Sequence, residues 1–235
     1  MNMFQDCTAL NEIHYGASVA PSEIYCYSWV NNVASSGTFY RKDTSWTPSY
    51  GASAVPTGWT VKKWINYDDY LWIENTYAGY NTLTISKSGT PAATHFYWSK
   101  DGTTWIEQQV SSLPKTINMA QGEKVYLKGD EGKWINDYNK YIAIKASQSH
   151  NVGGKLTSLL GENVTTMPNY CFNGLFNGDT TLVDAIKLIM PDFVASNCYI
   201  SMFKGCTSLT TAPALPATTL ASGCYSSMFT NCTSL

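Results

Sequence analysis

The chain has 235 residues, a formal net charge of −2 and a charged-residue share of 14%, well below the roughly 25% of an average globular protein. It has neither the basic stripe that would indicate nucleic-acid binding nor an acidic tail that would indicate a disordered arm. No apolar run approaches the roughly 18 residues that a membrane span needs. Aromatic residues also make up 14%, which favours a β-rich extracellular module over a helical cytosolic enzyme.

The first residues, Met1–Asp6, contain neither a basic segment nor an apolar core, so no signal peptide is visible. We therefore expect a secreted or cell-surface protein whose export signal lies outside this chain, or alternatively a virion protein released inside a phage particle. The seven cysteines include no Cys-x-x-Cys pair, and the three histidines lie far apart. No metal site and no cofactor are predicted.

Residues 1–63 are predicted to be the end of a repeat array with a C-terminal cap. Met3–Leu10 reads Met-Phe-Gln-Asp-Cys-Thr-Ala-Leu, and its register reappears in degraded form at Tyr25–Ser28. Residues 37–41 and 54–61 carry Gly and Pro turns and predict capping strands. Terminal repeats must cover the last apolar face, and they are usually atypical for that reason.

Residues 64–147 lose this pattern and show short runs in which apolar and polar residues alternate. Such runs, bounded by Gly, Asp and Asn, indicate half-buried antiparallel strands. The runs lie at 82–86, 95–98, 104–107, 124–128 and 141–145. Asp101-Gly102 predicts a hairpin turn, and Gly129–Gly132 predicts another. Together they favour a small antiparallel β-sandwich-like domain.

Residues 148–235 are predicted to begin a second array, truncated or uncapped, after a strand at 153–160. Cys198–Leu209 reads Cys-Tyr-Ile-Ser-Met-Phe-Lys-Gly-Cys-Thr-Ser-Leu and recurs as Cys224–Leu235, with a looser copy at Cys171–Leu182. The cysteines of these copies form two columns: Cys171, Cys198 and Cys224 in the first, Cys206 and Cys232 in the second. Asp179 occupies the second column in the loosest copy, so we expect buried, unpaired thiols acting as small apolar side chains.

The spacing of the apolar residues predicts a short helix in each copy. Those of the second copy fall at i, i+4, i+5, i+8 and i+11, on one side of a helix and the turn that leaves it. The slot before the second cysteine column holds only residue types that tolerate positive φ, and we expect a left-handed residue there. That slot is filled by Asp6, Gly178, Gly205 and Asn231. A strand at 207–212 and a turn bracketed by Pro213 and Pro216 would follow.

The signatures Met-Phe-x-Gly/Asn-Cys-Thr-Ser-Leu and Ala-Leu-Pro-Ala-Thr-Thr-Leu closely resemble the BspA-like leucine-rich repeats of gut Bacteroidetes surface proteins and of phages that infect them. The resemblance covers residues 150–235 and, more loosely, 1–63. It implies two leucine-rich-repeat solenoid segments flanking the small β-sandwich-like domain, in a mainly β fold with short helices (α+β). It also implies adhesion or binding, with no catalytic residues to carry over.

Catalytic motifs in the chain have simpler explanations. Ser201-Met-Phe-Lys204 matches the Ser-x-x-Lys of penicillin-recognising enzymes, but it falls inside the repeat. The paired acids at 68–69 and 130–131 lie in polar surroundings typical of solvated turns. Ser99–Trp105 is similar to an Asp-box turn but is one residue short, and a β-hairpin with a packed Trp explains it. No enzymatic activity is predicted.

Aromatic residues of the middle domain are the candidate ligand-binding residues, because their rings could stack on sugars. They are Tyr97, Trp98, Trp105, Trp134 and Tyr138. The competing interpretation is packing, since half of the side chains of an alternating strand must face the core.

The leading functional hypothesis is a non-catalytic binding or adhesion protein of a bacterial surface, whose solenoid presents an extended face to a host or microbial protein or glycan. The alternative is a phage tail-fibre or other receptor-binding virion segment. Neither requires nucleic acid or a membrane span. We also expect head-to-tail self-association through the open faces of the repeat arrays.

Overall fold

The computed structural model describes residues 3–15, 20–21, 28–41, 47–63, 66–134, 139–162 and 164–235. The chain forms two compact units, unit 1 (Met1–Ile65) and unit 2 (Asn66–Leu235). The described residues form a mainly β fold, with 32% of them in strands and 4% in helices, and the sheets they form are open. The helices of the described residues are single turns of 3-10 type: Tyr67–Asp69, Val110–Ser112 and Leu156–Leu159.

Unit 1 contains a parallel three-stranded sheet. Its strands are β1 (Glu12–Tyr15), β2 (Thr38–Arg41) and β3 (Thr60–Lys63), in the order β1-β2-β3. The strand predicted at 37–41 is therefore confirmed. The strand predicted at 54–61 begins only at Thr60, because Pro56 and the left-handed Gly58 (φ 86°) form a turn before it.

The core of unit 1 is centred on Phe39 and two tryptophans. Each indole donates a hydrogen bond to a backbone carbonyl of a neighbouring segment, Trp29 Nε1 to Ala54 O (3.0 Å) and Trp59 Nε1 to Ala34 O (2.7 Å). Both indole N–H groups are therefore hydrogen-bonded although their rings are buried.

Unit 2 contains two sheets. Its strands are β4 (Leu71–Asn75), β5 (Asn81–Ser88), β6 (His95–Ser99), β7 (Ile106–Gln109), β8 (Lys115–Met119), β9 (Lys124–Lys128), β10 (Tyr141–Ala146), β11 (His150–Lys155) and β12 (Leu182–Ile189). The six-stranded sheet has the order β12-β11-β4-β9-β6-β7, and the three-stranded sheet has the order β10-β5-β8. Both sheets contribute to one apolar cluster, Ile73 and Leu127 from the larger, Leu83 and Ile144 from the smaller.

All five alternating runs of the middle region become strands, although β7 begins only at Ile106. The hairpin at Asp101-Gly102 is confirmed, since β6 and β7 pair antiparallel across it. The hairpin predicted at Gly129–Gly132 is wrong. β9 pairs with β4 and β6, whereas β10 lies in the other sheet beside β5. Gly129 N donates instead to Ser158 O (2.8 Å), so the chain leaves the sheet rather than turning back.

Strand β11 links the middle region to the repeat copies. It pairs antiparallel with β4, Val152 opposite Ile73, and parallel with β12, Gly154 opposite Leu188. The apolar cluster also continues into the copies. The segments on both sides of the predicted boundary at 147/148 thus share one sheet and one compact unit.

Each repeat copy is a succession of turns, and the helix predicted there is wrong. Every second backbone N–H group donates to a carbonyl three residues earlier and so closes a turn. The N–H groups between them donate to carbonyls of an adjacent copy. In the second copy the internal bonds are Cys198 to Ala195, Met202 to Tyr199, Lys204 to Ser201 and Cys206 to Phe203 (3.0–3.3 Å). The bonds to the next copy are Asn197 to Ser222, Ser201 to Ser226, Phe203 to Met228 and Gly205 to Thr230 (2.8–3.0 Å). An α-helix would use these N–H groups internally and leave none for stacking.

The left-handed slot predicted before the second cysteine column is confirmed. Its four residues have φ values of 62° (Asp6), 69° (Gly178), 75° (Gly205) and 63° (Asn231). The copies contain further left-handed residues that were not expected. In the second copy these are Tyr199 and Ser201, and Asn197 lies just before it. Their alternation with right-handed residues is what replaces a helix by turns.

Aromatic rings of consecutive copies lie over one another in two columns. In the first, Phe172, Tyr199 and Tyr225 have centroids 6.0 and 5.2 Å apart. In the second, Phe176, Phe203 and Phe229 have centroids 5.4 and 5.5 Å apart and interplanar angles of 16° and 4°. Each copy thus covers the rings of the copy before it, in addition to bonding its backbone.

The same backbone ladder occurs in unit 1. Phe4 N donates to Trp29 O (2.7 Å) and Asp6 N to Asn31 O (2.9 Å), the counterparts of the bonds that Phe203 and Gly205 make to the third copy. Met3–Leu10 therefore folds as a copy of the repeat. Tyr25–Cys26–Tyr27, which the prediction also included, lies outside the described residues.

The cysteines of the two columns are unpaired thiols, as predicted. Three of them are buried (Cys171, Cys198 and Cys206) and two partly buried (Cys224 and Cys232). In the second column, each thiol donates to a backbone carbonyl of the preceding copy, Cys206 Sγ to Phe176 O (3.1 Å) and Cys232 Sγ to Phe203 O (3.0 Å). These cysteines thus hold copies together without any covalent bond.

The buried thiol Cys206 of the second column should be alkylated much more slowly than an exposed thiol. Burial raises the pKa of Cys206 to about 12, whereas Cys7 is exposed. Because the thiolate is the reactive form, we expect iodoacetamide at pH 8 to modify Cys7 more than roughly 100-fold faster than Cys206. Mass spectrometry of the labelled peptides measures both rates, and labelling in urea, where the difference should vanish, is the control. Similar rates in the folded protein would contradict burial of the second column.

Candidate binding groove

A groove of about 710 Å³ opens in unit 2 where β6 and β9 meet the segment after the last 3-10 turn. It is lined by Tyr97, Lys128, Gly129, Asp130, Gly132, Leu160, Gly161, Glu162, Val164, Thr165 and Thr166. One wall comes from the sheet, because Tyr97 lies opposite Lys128 in the β6–β9 register. The other wall comes from residues 160–162 and 164–166, which lie more than thirty positions further along the chain than Lys128.

Backbone hydrogen bonds fix the two walls against each other. Gly129 N donates to Ser158 O and Gly132 N to Leu160 O, both at 2.8 Å. A Cβ at Gly129 would overlap the carbonyl oxygen of Leu159, so only glycine permits this approach. The buried Ser158 hydroxyl also donates to Leu127 O (3.0 Å). The groove is therefore built on rigid parts of the fold.

Three aromatic rings surround the ammonium group of Lys128, and we call this group the Lys128 cage. Lys128 Nζ lies 4.5 Å from the ring centroid of Trp105, 5.7 Å from that of Tyr97 and 5.9 Å from that of Tyr70. The rings of Trp105 and Tyr70 contact each other edge to face, with centroids 4.7 Å apart. Cation–π attraction holds the ammonium among the rings, and Tyr97 belongs both to the cage and to the groove lining.

Carboxylates supply hydrogen-bond acceptors along the groove. Asp130 lies 3.0 Å from His95 Nε2, and its hydrogen bond with the Tyr97 hydroxyl raises the pKa of that phenol. Burial, and secondarily the charge of Glu162, raise the pKa of Tyr70. The groove thus combines ring edges, two carboxylates and one fixed ammonium, an arrangement suited to holding a hydroxylated ligand.

The turn that carries Trp105 is ordered by Asp101. Asp101 Oδ1 accepts from Thr103 N (2.8 Å) and Thr104 N (2.7 Å), and Ser99 Oγ donates to the same carboxylate (2.9 Å). These bonds explain the Ser99–Trp105 pattern as a hairpin turn, as predicted. The N–H of Thr104 first, and then that of Thr103, hold the pKa of Asp101 well below its ordinary value of 3.8.

The depressed pKa gives Asp101→Asn a defined pH signature. A carboxylate with a lowered pKa contributes stability that is complete above its unfolded-state pKa and is lost as the pH falls toward the folded-state pKa. We therefore expect Asp101→Asn to lower the urea midpoint at pH 7, and the gap from the wild type to narrow below pH ~4. Asp192→Asn, outside this turn, is the control. A gap that stays constant down to pH ~2 would contradict this role.

The predicted ligand-binding residues divide between the groove and the core. Tyr97 and Trp105 lie together at the Lys128 cage. Trp98 packs against the apolar cluster, and Trp134 is only 1% exposed and contacts Phe96 edge to face (5.8 Å), so neither presents its ring to the groove. Tyr138 lies outside the described residues. The strand period explains the division, since Phe96 and Trp98 point inward and Tyr97 outward.

Four residues of this region were not predicted as ligand-binding: Tyr70, Lys128, Asp130 and Glu162. Lys128 is the last residue of β9, and the register that places it opposite Tyr97 cannot be read from the pattern of either strand. Glu162 comes from a distant segment, and no local pattern connects it with the sheet. The sequence pattern places Asp130 in a solvated turn, and its side chain is half exposed, but it also lies 3.0 Å from His95 Nε2.

No protein-family model, no curated protein and no solved structure was found to match this chain. Within the described part of the chain, no helix has the length and apolar character required to cross a membrane. The described residues also contain no group of three or more His, Cys, Asp and Glu side chains arranged to hold a metal ion.

Proposed function

We propose that this chain is a non-catalytic binding protein, displayed on a bacterial cell surface or on a virion, that attaches to a glycan through the groove of unit 2. The observation that carries the proposal is the joining of the Lys128 cage to a groove lined by carboxylates and hydroxyl groups. A sugar ring has an apolar C–H face and a polar hydroxyl edge. The Tyr97 ring suits the face, and Asp130, Glu162 and Thr165 suit the edge.

A glycan fits the groove better than a charged peptide does. The cationic Lys128 is already engaged by three rings, and Asp130 already faces His95. A charged ligand would have to compete with these internal partners and lose its own water. A neutral or weakly charged sugar needs only hydrogen bonds and stacking.

The repeat copies belong to the same proposal, as BspA-like leucine-rich-repeat solenoid segments that present an extended face to protein or glycan partners. Three features support it. The strands of unit 1 are parallel and in register, the backbone ladder recurs from copy to copy, and the aromatic rings form continuous columns. Stacking of this kind is how repeat proteins build large binding surfaces.

A glycan array probed with the labelled chain tests the binding role. We expect signals on a subset of glycans, and a roughly tenfold loss of affinity for Trp105→Ala and for Tyr97→Ala, the effect of losing one stacked ring. Tyr50→Ala, which removes an exposed tyrosine of unit 1, should bind as the wild type does.

Two results would overturn this function. One is an array signal that neither Trp105→Ala nor Tyr97→Ala weakens, although circular dichroism shows that both variants remain folded. The other is release of reducing sugar from a bound glycan in proportion to protein concentration, since a binding protein leaves its glycan intact.

A further inference from the structure

Three loops meet at the end of β4 that lies opposite the groove, and we call this region the tyrosine end. It consists of residues 76–80, 120–122 and 147–149. The groove lies beside Leu71, which pairs with Leu127 at one end of the strand, whereas the tyrosine end follows Asn75 at the other end. The two regions are therefore separated by the length of β4.

A fully buried asparagine fixes the first two loops. Asn75 Nδ2 donates to Gly79 O (2.8 Å) and Met119 O (3.1 Å), and its Oδ1 accepts from Tyr77 N (3.0 Å). Its backbone oxygen accepts from Gly122 N (2.8 Å). Because the side chain is 0% exposed, the Asn75 end of each of these bonds is protected from water.

A second buried asparagine fixes the third loop. Asn81 Nδ2 donates to Gln148 O (2.9 Å), and its Oδ1 accepts from Gln148 N (2.9 Å) and from the Ser147 hydroxyl (3.1 Å). Thr76 N donates to Ser149 O (3.2 Å), and this bond joins the first loop to the third. Hence the loops are held in one conformation before any ligand arrives.

The loops themselves carry two tyrosines and no charged side chain. Glu123 follows the second loop and accepts from Ala120 N (2.9 Å), and its carboxylate is neutralised by Lys100 at 3.0 Å. Tyr80 is 81% exposed and Tyr77 is 44% exposed. The rest of the surface consists of small or uncharged polar residues: Thr76, Ala78, Gly79, Ala120, Gln121, Gly122, Ser147, Gln148 and Ser149. A flat apolar ring beside amide and hydroxyl groups matches the two sides of a sugar ring.

We propose that the tyrosine end is a second carbohydrate site, specific for neutral polysaccharide. The absence of charge on its loops matches an uncharged ligand, for which neither partner must shed strongly bound water. The pre-ordered loops keep the entropic cost of binding low. A protein partner fits less well, because a stable interface takes about 20–30 residues on each side and these loops supply far fewer. This site does not depend on the groove.

Affinity electrophoresis of the full chain tests the proposal, in gels containing yeast mannan, mixed-linkage β-glucan or amylopectin, with polygalacturonate as the anionic comparison. We expect at least one neutral polymer to retard the wild type, and Tyr80→Ala to weaken that retardation about tenfold. Tyr80→Phe, which keeps the ring, should retain most of it. Tyr50→Ala, which removes an exposed tyrosine of unit 1, is the matched control that leaves both the tyrosine end and the groove intact.

The outcomes separate this site from the groove. Retardation lost in Tyr80→Ala but kept in Tyr50→Ala supports the tyrosine end, whatever the array shows for Trp105→Ala and Tyr97→Ala at the groove. No retardation by any neutral polymer overturns the proposal, as does equal retardation of Tyr80→Ala and the wild type. A concentration-dependent dimer that Tyr80→Ala abolishes would overturn it too, and would assign these loops to a second copy of the chain.

Discussion

Replacing Gly154 by alanine is expected to lower the free energy of unfolding of unit 2 by roughly 2–5 kcal/mol. Gly154 has φ +75°, which costs any residue with a Cβ about 1–2 kcal/mol. A Cβ there would also overlap the carbonyl oxygen of Tyr70 and lie 2.8 Å from Cδ1 of Trp72. Trp72 is 1% exposed and lies under Lys124, so neither the ring nor the backbone can easily move away.

The matched control for this substitution is Gly122→Ala. Gly122 has nearly the same backbone conformation (φ +73°), but nothing lies within 4 Å of its added Cβ. Its replacement should therefore cost only the left-handed strain, about 1–2 kcal/mol. Urea unfolding followed by tryptophan fluorescence compares the two variants. Equal losses would show that the contact between β11 and β4 tolerates a methyl group, contrary to the close packing described above.

The helix error shows where sequence pattern is insufficient in this chain. Cys198, Met202, Phe203 and Cys206 are spaced as the apolar face of a helix would be, and all four are buried. A run of turns with alternating left- and right-handed residues produces nearly the same spacing. The left-handed conformation of Tyr199 and Ser201 separates the two, and residues of these types rarely adopt it. Contacts with neighbouring copies stabilise that conformation, so local propensity could not reveal it.

The strands were predictable because their evidence is local. Alternation in β5 and β9, and the turn at Asp101-Gly102, follow from a few consecutive residues. The joining of β11 to β4 was not predictable, since it pairs segments about eighty residues apart. The groove depends on that same joining, which brings residues 160–162 and 164–166 to the sheet. Accordingly, Tyr97 and Trp105 could be named from the sequence, whereas Lys128 and Glu162 could not.

A second large effect is expected where the first repeat copy departs from the pattern of the others. Asp179 stands where the later copies have Cys206 and Cys232, so Asp179→Cys makes the copies more alike. We nevertheless expect it to lower the free energy of unfolding by about 1–3 kcal/mol, the cost of leaving buried polar groups without their partner. Asp179 Oδ2 lies 3.1 Å from Nε2 of His150, and the two side chains are 1% and 0% exposed.

Asp179 also receives hydrogen bonds that a thiol cannot replace. Ala146 N donates to Oδ2 (3.3 Å), and the Thr181 hydroxyl donates to Oδ1 (3.0 Å). With cysteine at this position, the buried Nε2 of His150 and the partly buried Ala146 N–H would lose this partner, and an unpaired buried group costs more than a missing contact. The later copies can use cysteine because the copy before them offers a backbone carbonyl, whereas the first copy meets β10 and β11.

A double-mutant cycle with His150→Leu tests this explanation. If Asp179→Cys destabilises the protein because His150 loses its partner, removing the imidazole as well should recover part of the lost free energy of unfolding. The expected coupling between the two substitutions is about 1–3 kcal/mol. Cys206→Ala, which removes a thiol that donates only to Phe176 O, should cost much less than Asp179→Cys. Additive losses in the cycle would contradict the pairing of His150 with Asp179. They would instead place the contribution of Asp179 in its bonds to Ala146 and Thr181, which close the first copy against β10.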